Sequence, residues 1–279
     1  MSLRIKKSIC IVALLSLSIS IFAQKKPKIK GNRVVKELTK DIPETFNTVE
    51  IDDELKIVLN QNDQNGYYLK TDENLIDIVQ FKVTDSVLKI YTTNRIVRSK
   101  KLEISLNAKE IEHIILRNDA KIKSDKKLIS EKLFITGYDS SDLDLDVKAD
   151  DVRITLYDKV KGKVKIKSEN VAITMNGKTD LKAYVITDKI KVAMNKAAEL
   201  NIDGDTDYAS FDVKDSSKLK AKKMKTSSTD LNTYHSADVY VYAKRNLELY
   251  AQGKSIVYVY GNPELDVKTL TDRTKIIKK

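Results

Sequence analysis

Three aspartates at alternate positions, Asp142, Asp144 and Asp146, form the densest carboxylate cluster in the chain. Two chemistries use such clusters. Acid–base cleavage of a polysaccharide needs convergent carboxyl groups with perturbed pKa values in a groove, and calcium binding needs six to eight oxygens around one point. The spacing argues against both. The aspartates alternate with Leu143, Leu145 and Val147, so they project side by side from the outer face of one strand. Nineteen residues on, Lys163 and Lys165 take the places of Asp144 and Asp146, which neutralises them and opposes a divalent cation. The glycine-rich nonapeptide of calcium-binding β-rolls is also absent. His113 and His235 are the only histidines. They are about six repeats apart and cannot share a metal site or a catalytic triad. His235 stands where other repeats place Asp or Asn in a turn. The pattern predicts no catalytic residue, no metal site and no cofactor.

The tyrosines are the other distinctive group. Tyr240 and Tyr242 align with Tyr258 and Tyr260 one repeat later, all on the polar phase of their strands. That predicts one outward patch of four rings near the C-terminal end, with Tyr184 in the same outer column further back. Such patches bind sugar faces or anchor protein interfaces, because they join a large area to a hydroxyl. The alternative is a ladder that stabilises the last coils, or a patch covered by the tail at 264–279. The absence of Trp counts against a strong glycan platform.

The elements that carry these residues are a repeat. Segments beginning at Ile114, Ile135, Ile154, Ile173, Val192, Phe211, Leu231 and Leu249 align without gaps, their starts separated by 21, 19, 19, 19, 19, 20 and 18 residues. Six residues into each copy stand Ala120, Ser141, Val160, Thr179, Ala198, Ser217, Ala237 and Ser255, none larger than Val. Eight residues in, the column from Ile122 and Leu143 to Val239 and Val257 is apolar except at Gly162. Between these two columns lies a polar one, Lys121, Asp142, Lys161 and Asp180 alternating in sign. Alternation gives strands with one buried face, and the small column marks an inward corner. No single coil buries its apolar face alone, so neighbours stack on one continuous core. The fold class predicted is all-β: a single-stranded β-helix-like solenoid of about eight coils with a period of about 19 residues, preceded by a β-rich N-terminal cap. The alternative is a β-sandwich. Lys159, in the turn, should be exposed.

The predicted organisation is a signal peptide at 1–23, an entry or cap region at 24–109, the repeats at 110–263 and a C-terminal tail at 264–279. Arg4, Lys6 and Lys7 precede the apolar run Ile9 to Phe22, and Ala23 offers a cleavage point. That run, about 14 residues, is short for a span of about 20. Cleavage removes the only cysteine, Cys10, and three of 51 basic residues, leaving a net charge of +8. The excess is dispersed as Lys–Asp alternation, so no nucleic-acid face is expected. No later stretch is apolar enough to cross a bilayer. In the entry region, runs from Phe46, Leu55 and Leu88 read as strands, Asn65-Gly66 as a hairpin-type turn, and Asp72 to Val79 as one short helix.

The chain resembles the secreted bacterial family of putative auto-transporter adhesins with a head GIN domain. The likeness rests on Gly31-Asn32, the segment Phe46 to Gln61, DENLIDIV, LKIYT, Leu106 to Leu116, and Val257 to Pro263. It implies an exported β-solenoid without established enzyme activity, and it carries over no functional residue. The chain is glycine-poor, turning with Asn118-Asp119-Ala120, Asp139-Ser140-Ser141 and Asp215-Ser216-Ser217, whose side chains can bond the backbone. The expected function is a non-enzymatic exported envelope protein, binding or adhesin-like, in the periplasm or at the cell surface. Its expected partner is a glycan or a protein. A self-associating scaffold is the alternative, and a carbohydrate-active enzyme stands third.

Overall fold

Along the strand Asp180–Lys196, Leu181, Ala183, Val185 and Thr187 are buried while Lys182, Tyr184 and Ile186 face solvent. Two successive exposed residues, Asp188 and Lys189, then shift the phase and carry the strand around a corner, after which Ile190, Val192 and Met194 point inward. The computed structural model describes residues 26–279; the leader expected at 1–23 lies outside the described residues. The repeat registers hold without a slip. Ile114 pairs with Ile135, then Ile154, Ile173, Val192, Phe211, Leu231 and Leu249, all in parallel. The second apolar column pairs in the same way from Ile122 to Val257. The result is a β-solenoid of about nine turns.

The small column is buried throughout, from Ala120 and Ser141 to Ala237 and Ser255, none more than 1% exposed. Before it, a left-handed residue turns each corner: Asp139 (φ 62°), Asp158 (60°), Lys196 (68°), Asp215 (60°), His235 (63°), with Gly177 (113°) and Gly253 (87°) in the same column. Asp and Asn tolerate this conformation because the short side chain bonds the backbone locally. Here it bonds the neighbouring coil. The Asn118, Lys196 and Gly253 N–H groups donate to the carboxylates of Asp139, Asp215 and Asp272, at 2.9, 2.9 and 3.0 Å.

The opposite corner uses hydroxyls. Ser168, Thr187 and Thr206 recur at the phase shift, and each Oγ meets the two carbonyls that flank the bend. Thr187 lies 2.8 Å from Glu169 O and 3.1 Å from Lys189 O. Thr187→Val keeps the shape and removes the donor. It should lower stability by about 1 kcal/mol in urea unfolding, because the one hydroxyl proton shared between these carbonyls is lost, while Glu169 O keeps the Asp188 and Lys189 N–H groups. An unchanged midpoint would show that the hydroxyl adds nothing to the backbone bonds at this corner.

Irregular repeat lengths are local events. The 20-residue coil carries a bulge: Asn201 pairs with Lys220 but Asp203 pairs with Lys223, so one extra residue is accommodated around Lys222. The 21-residue coil takes its excess between Lys123, opposite Asp144, and Leu128, opposite Val147.

Three expectations for the ends and connections change. Residues 264–279 are not a tail: the strands Glu264–Leu270 and Lys275–Lys278 pair in parallel with the coil before them. The solenoid also extends into the entry region. Thr48–Ile51 and Lys56–Gln61 stack on the coil His113–Ser124, and Val87–Thr92 and Leu102–Ala108 stack beyond them. Asn65-Gly66 does not make a hairpin, because Leu102–Ala108 inserts between Lys56–Gln61 and Gly66–Asp72. The Asn65 side chain instead accepts from Lys109 N–H at 2.9 Å and donates to Glu44 O at 3.1 Å. At this end Val35–Asp41 and Val79–Thr84 run antiparallel to the strands they cover.

The helix expected over Asp72 to Val79 is a single 3-10 turn, Glu73–Leu75. Asp72 would have been its N-cap, but its carboxylate is fully buried and accepts N–H groups from Arg33, Lys100 and Lys101. Gly31 packs so closely on this carboxylate that a Cβ would overlap it. Burial pushes the Asp72 pKa up, but the three N–H groups and the Lys100 charge outweigh it, so the group titrates below its ordinary value. A carboxylate with a depressed folded-state pKa contributes stability above its unfolded pKa of about 3.9 and loses it as pH falls through the folded value. Asp72→Asn should therefore lower the melting temperature by about 3–6 °C at neutral pH. The gap between variant and wild type should close as pH falls below about 4. A gap that persisted in acid would assign the loss to shape.

Candidate functional site

The three aspartates singled out by the sequence do lie along one outer strand. Asp144 is exposed, Asp142 and Asp146 are half-buried, and the register places Asp142, Asp144 and Asp146 beside Lys161, Lys163 and Lys165. No group of three or more metal-ligating side chains occurs among the described residues. His113 stacks on Phe134 at 4.8 Å between centroids, and His235 Nδ1 lies 2.8 Å from Asp215 Oδ1. The resolved titration shifts run away from neutrality. The hydrogen bond that Tyr208 donates to Asp230 pushes its pKa up to about 12. The Lys196 N–H bond, outweighing burial, holds Asp215 below the usual carboxylate range. In the sign-alternating outer column, Lys218–Asp238 at 3.1 Å is the one adjacent pair at ion-pair distance among the described residues. The other oppositely charged neighbours in this column stand beyond ion-pair distance.

The four C-terminal tyrosines fall in adjacent coils as expected, Tyr240 beside Tyr258 and Tyr242 beside Tyr260, all half-exposed. Tyr240 and Tyr258 are stacked, with centroids 4.5 Å apart and planes within 9°. Both outer faces of that stack are taken. The Lys218 ammonium lies 5.7 Å from the Tyr240 centroid and the Lys279 ammonium 5.7 Å from that of Tyr258. The pair thus offers its edges and hydroxyls, and its ring faces are occupied by cations. Burial and the Asp238 charge raise the Tyr240 pKa, which keeps its hydroxyl a donor. Sequence reasoning missed this capping, since Lys279 reaches Tyr258 only because residues 264–279 form another coil. The same device recurs elsewhere: Arg117 lies 4.4 Å from the Tyr138 centroid, and Tyr138 stacks on Tyr157.

Beside Tyr240 the bulge opens a groove of about 280 Å³ walled by Lys218, Lys220, Lys222, Lys223, Asn201 and Asp203. Bulges re-aim side chains next to functional sites. Lys218 and Lys220 are held by Asp238 and Glu199. Lys222 and Lys223, on the bulge, make no ion pair among the described residues.

The pattern of the family described as putative auto-transporter adhesin, head GIN domain, matches twice, over residues 45–161 and 157–263. The chain belongs to this family. The second match lies within the stacked coils, and the first spans the earlier coils together with the antiparallel strands Gly66–Asp72 and Val79–Thr84. The fold is also that of several crystal structures. One is described as a putative adhesin from Parabacteroides merdae: 15% identity, TM-score 0.68, 91% of this chain and 99% of that one covered. Another, a putative adhesin from Parabacteroides distasonis, shows 16% identity and a TM-score of 0.65 over 90% and 97% of the two chains. A third, described as a putative lipid binding protein from Parabacteroides distasonis, shows 20% identity and a TM-score of 0.61 over 90% and 96%. At these identities the likeness concerns the fold. A search of curated proteins returned no match. No helix among the described residues is long and apolar enough to cross a membrane.

Proposed function

We propose that this head GIN protein is a non-enzymatic binding module exported to the bacterial envelope, and that it meets its partner through the outer face of the C-terminal coils. The observation that carries the reading is the tyrosine pair beside the lysine groove. Tyr240 and Tyr258 are held by a stack with cations on both faces, so their hydroxyl edges are presented rigidly. The adjoining bulge directs Lys222 and Lys223 outward. Rigid aromatics next to unengaged donors suit a polar partner surface, a glycan or a protein. The family name and the cationic, apolar start of the chain support export.

The test is an overlay of the purified protein on immobilised envelope polysaccharides and on intact cells, with released reducing ends assayed in parallel. The proposal expects saturable retention and no released product. Release of product would overturn the non-enzymatic reading, and absence of retention on every surface would overturn the binding one.

One observation favours a self-associating scaffold instead. In the coil from Glu264, Leu265 and Val267 continue the inward columns of Leu247 and Leu249, yet they are 37% and 41% exposed. Sedimentation distinguishes the two readings: a concentration-dependent dimer lost in Val267→Lys supports the scaffold, and a monomer at all concentrations supports the module.

A further inference from the structure

We propose a second, separate binding site on the same outer face, a neutral-saccharide site built around Tyr184. Its ring lies three coils from the Tyr240 stack, about 14 Å along the rod at the usual strand spacing; the two grooves adjoin at Asn201 and Asp203, but neither tyrosine of the stack lines this one.

The first observation is an exception in a uniform surface. From Asp142 to Lys225, the outward positions of this face are Asp, Glu, Lys or Asn in every coil but one. The exception is Tyr184 and Ile186, neighbours on the outward phase of the strand Asp180–Lys196 and 50% and 42% exposed. Neither contributes to the core, whose residues on this face of the coil are Leu181, Ala183 and Val185. An apolar pair on a charged β face has no folding role to explain it.

The second observation is the state of the ring. The other outward stack on this face, Tyr240 on Tyr258, has a cation on each side, whereas Tyr184 has no aromatic ring or cation over it among the described residues. Its register neighbours are the side chains of Lys165 and Asp203, so the half-exposed ring can meet the C–H face of a pyranose without displacing a stacked ring or a bound cation.

The third is the groove around it, of about 480 Å³, within the range of small-molecule sites. Asp144, Asp146, Lys163, Lys165, Lys182 and Asp203 line it, and none of these side chains makes an ion pair among the described residues. They are acceptors and donors free of ion pairs at successive strand spacings, which sugar hydroxyls can engage. Counting Asp125 as well, four carboxylates face three ammonium groups. That near balance repels a uronate or sulfated chain no less than it attracts one, so an uncharged saccharide is the ligand it fits. Two exposed apolar side chains are also too few for the core of a protein interface, which buries about 800 Å² on each partner.

The experiment titrates the protein with cellohexaose, maltohexaose, xylohexaose and laminarihexaose, and with hexagalacturonate as the charged arm. Backbone amide shifts and calorimetry report the binding. At least one neutral hexasaccharide should bind at millimolar concentration or below and move the amides of Lys182 to Ile186. Tyr184→Ala should weaken it about tenfold or more with the melting temperature unchanged, Tyr184→Phe should keep it, and Tyr240→Ala/Tyr258→Ala should leave it intact. The proposal is overturned if no neutral sugar binds, if hexagalacturonate binds more tightly, or if Tyr184→Ala binds as the wild type does. It is also overturned if the double tyrosine variant abolishes the binding, which would place the sugar at the other patch.

Discussion

Ser217→Phe should collapse the middle of the solenoid, lowering stability by about 3 kcal/mol or more and the melting temperature by roughly 10 °C. Ser217 is fully buried in the corner column, with Ala198 in the coil before it and Ala237 in the coil after it. Backbone bonds from Lys218 N–H to Ala198 O and from Asp238 N–H to Ser217 O, 2.8 and 3.1 Å, fix those coils at strand spacing. A phenyl ring there can neither leave, since its Cα–Cβ bond points inward, nor rise along the axis past its neighbours. Ala198→Phe should behave alike. Size and polarity separate cleanly at this position. The Ser217 hydroxyl is buried without a hydrogen-bond partner among the described residues, so Ser217→Ala should be neutral or slightly stabilising. Lys159→Ala, exposed in a corner turn, should not move the transition. Thermal unfolding of the four variants checks the set, and equal midpoints would contradict the stacking register.

Why the sequence revealed the coil so fully, and its ends so poorly, follows from range. Within a coil, the phase of alternation decides what is buried, and a slip of one residue would turn every Leu and Lys to the wrong side. The pairing of Ile135 with Ile154, or Leu181 with Leu200, was therefore legible from local pattern alone. The hydroxyl corner was legible too and was missed: Ser168, Thr187 and Thr206 recur at 19 residues in the same alignment. The entry region differs in kind. Leu102–Ala108 pairs with Lys56–Gln61 on one side and Gly66–Asp72 on the other, a nonlocal arrangement that no turn signal encodes. Asn65-Gly66 looked like a hairpin because nothing nearby announces the strand that separates its arms. The Leu55 position carries the same lesson: it occupies the small column, with Lys121 N–H bonded to its carbonyl as in later coils, and it is buried there although it is larger than any residue of that column in the repeats.

The tyrosine patch was legible as an alignment of rings and illegible as a geometry. The sequence placed Tyr240 over Tyr258, but the capping of Tyr258 by Lys279 requires the coil formed by residues 264–279. That capping matters for function. A stack whose faces are closed by Lys218 and Lys279 is a poor sugar platform and a good rigid edge, so partner contacts should depend on the hydroxyl rims and the adjoining lysines. Removing both rings should cost a partner about 2 kcal/mol, roughly thirtyfold in affinity, as for an aromatic hot spot. The fold should lose only the stacking and cation contributions, about 1 kcal/mol, because neither ring enters the core.

These two quantities, measured together on Tyr240→Ala/Tyr258→Ala, test the account most directly. Affinity is read against the surface that retains the wild type, and thermal unfolding is followed in the same preparation. The account predicts binding weakened about thirtyfold with a melting temperature within about 4 °C of wild type. A marked fall in melting temperature with binding intact would contradict it, assigning the tyrosines to the solenoid and removing them from any partner surface.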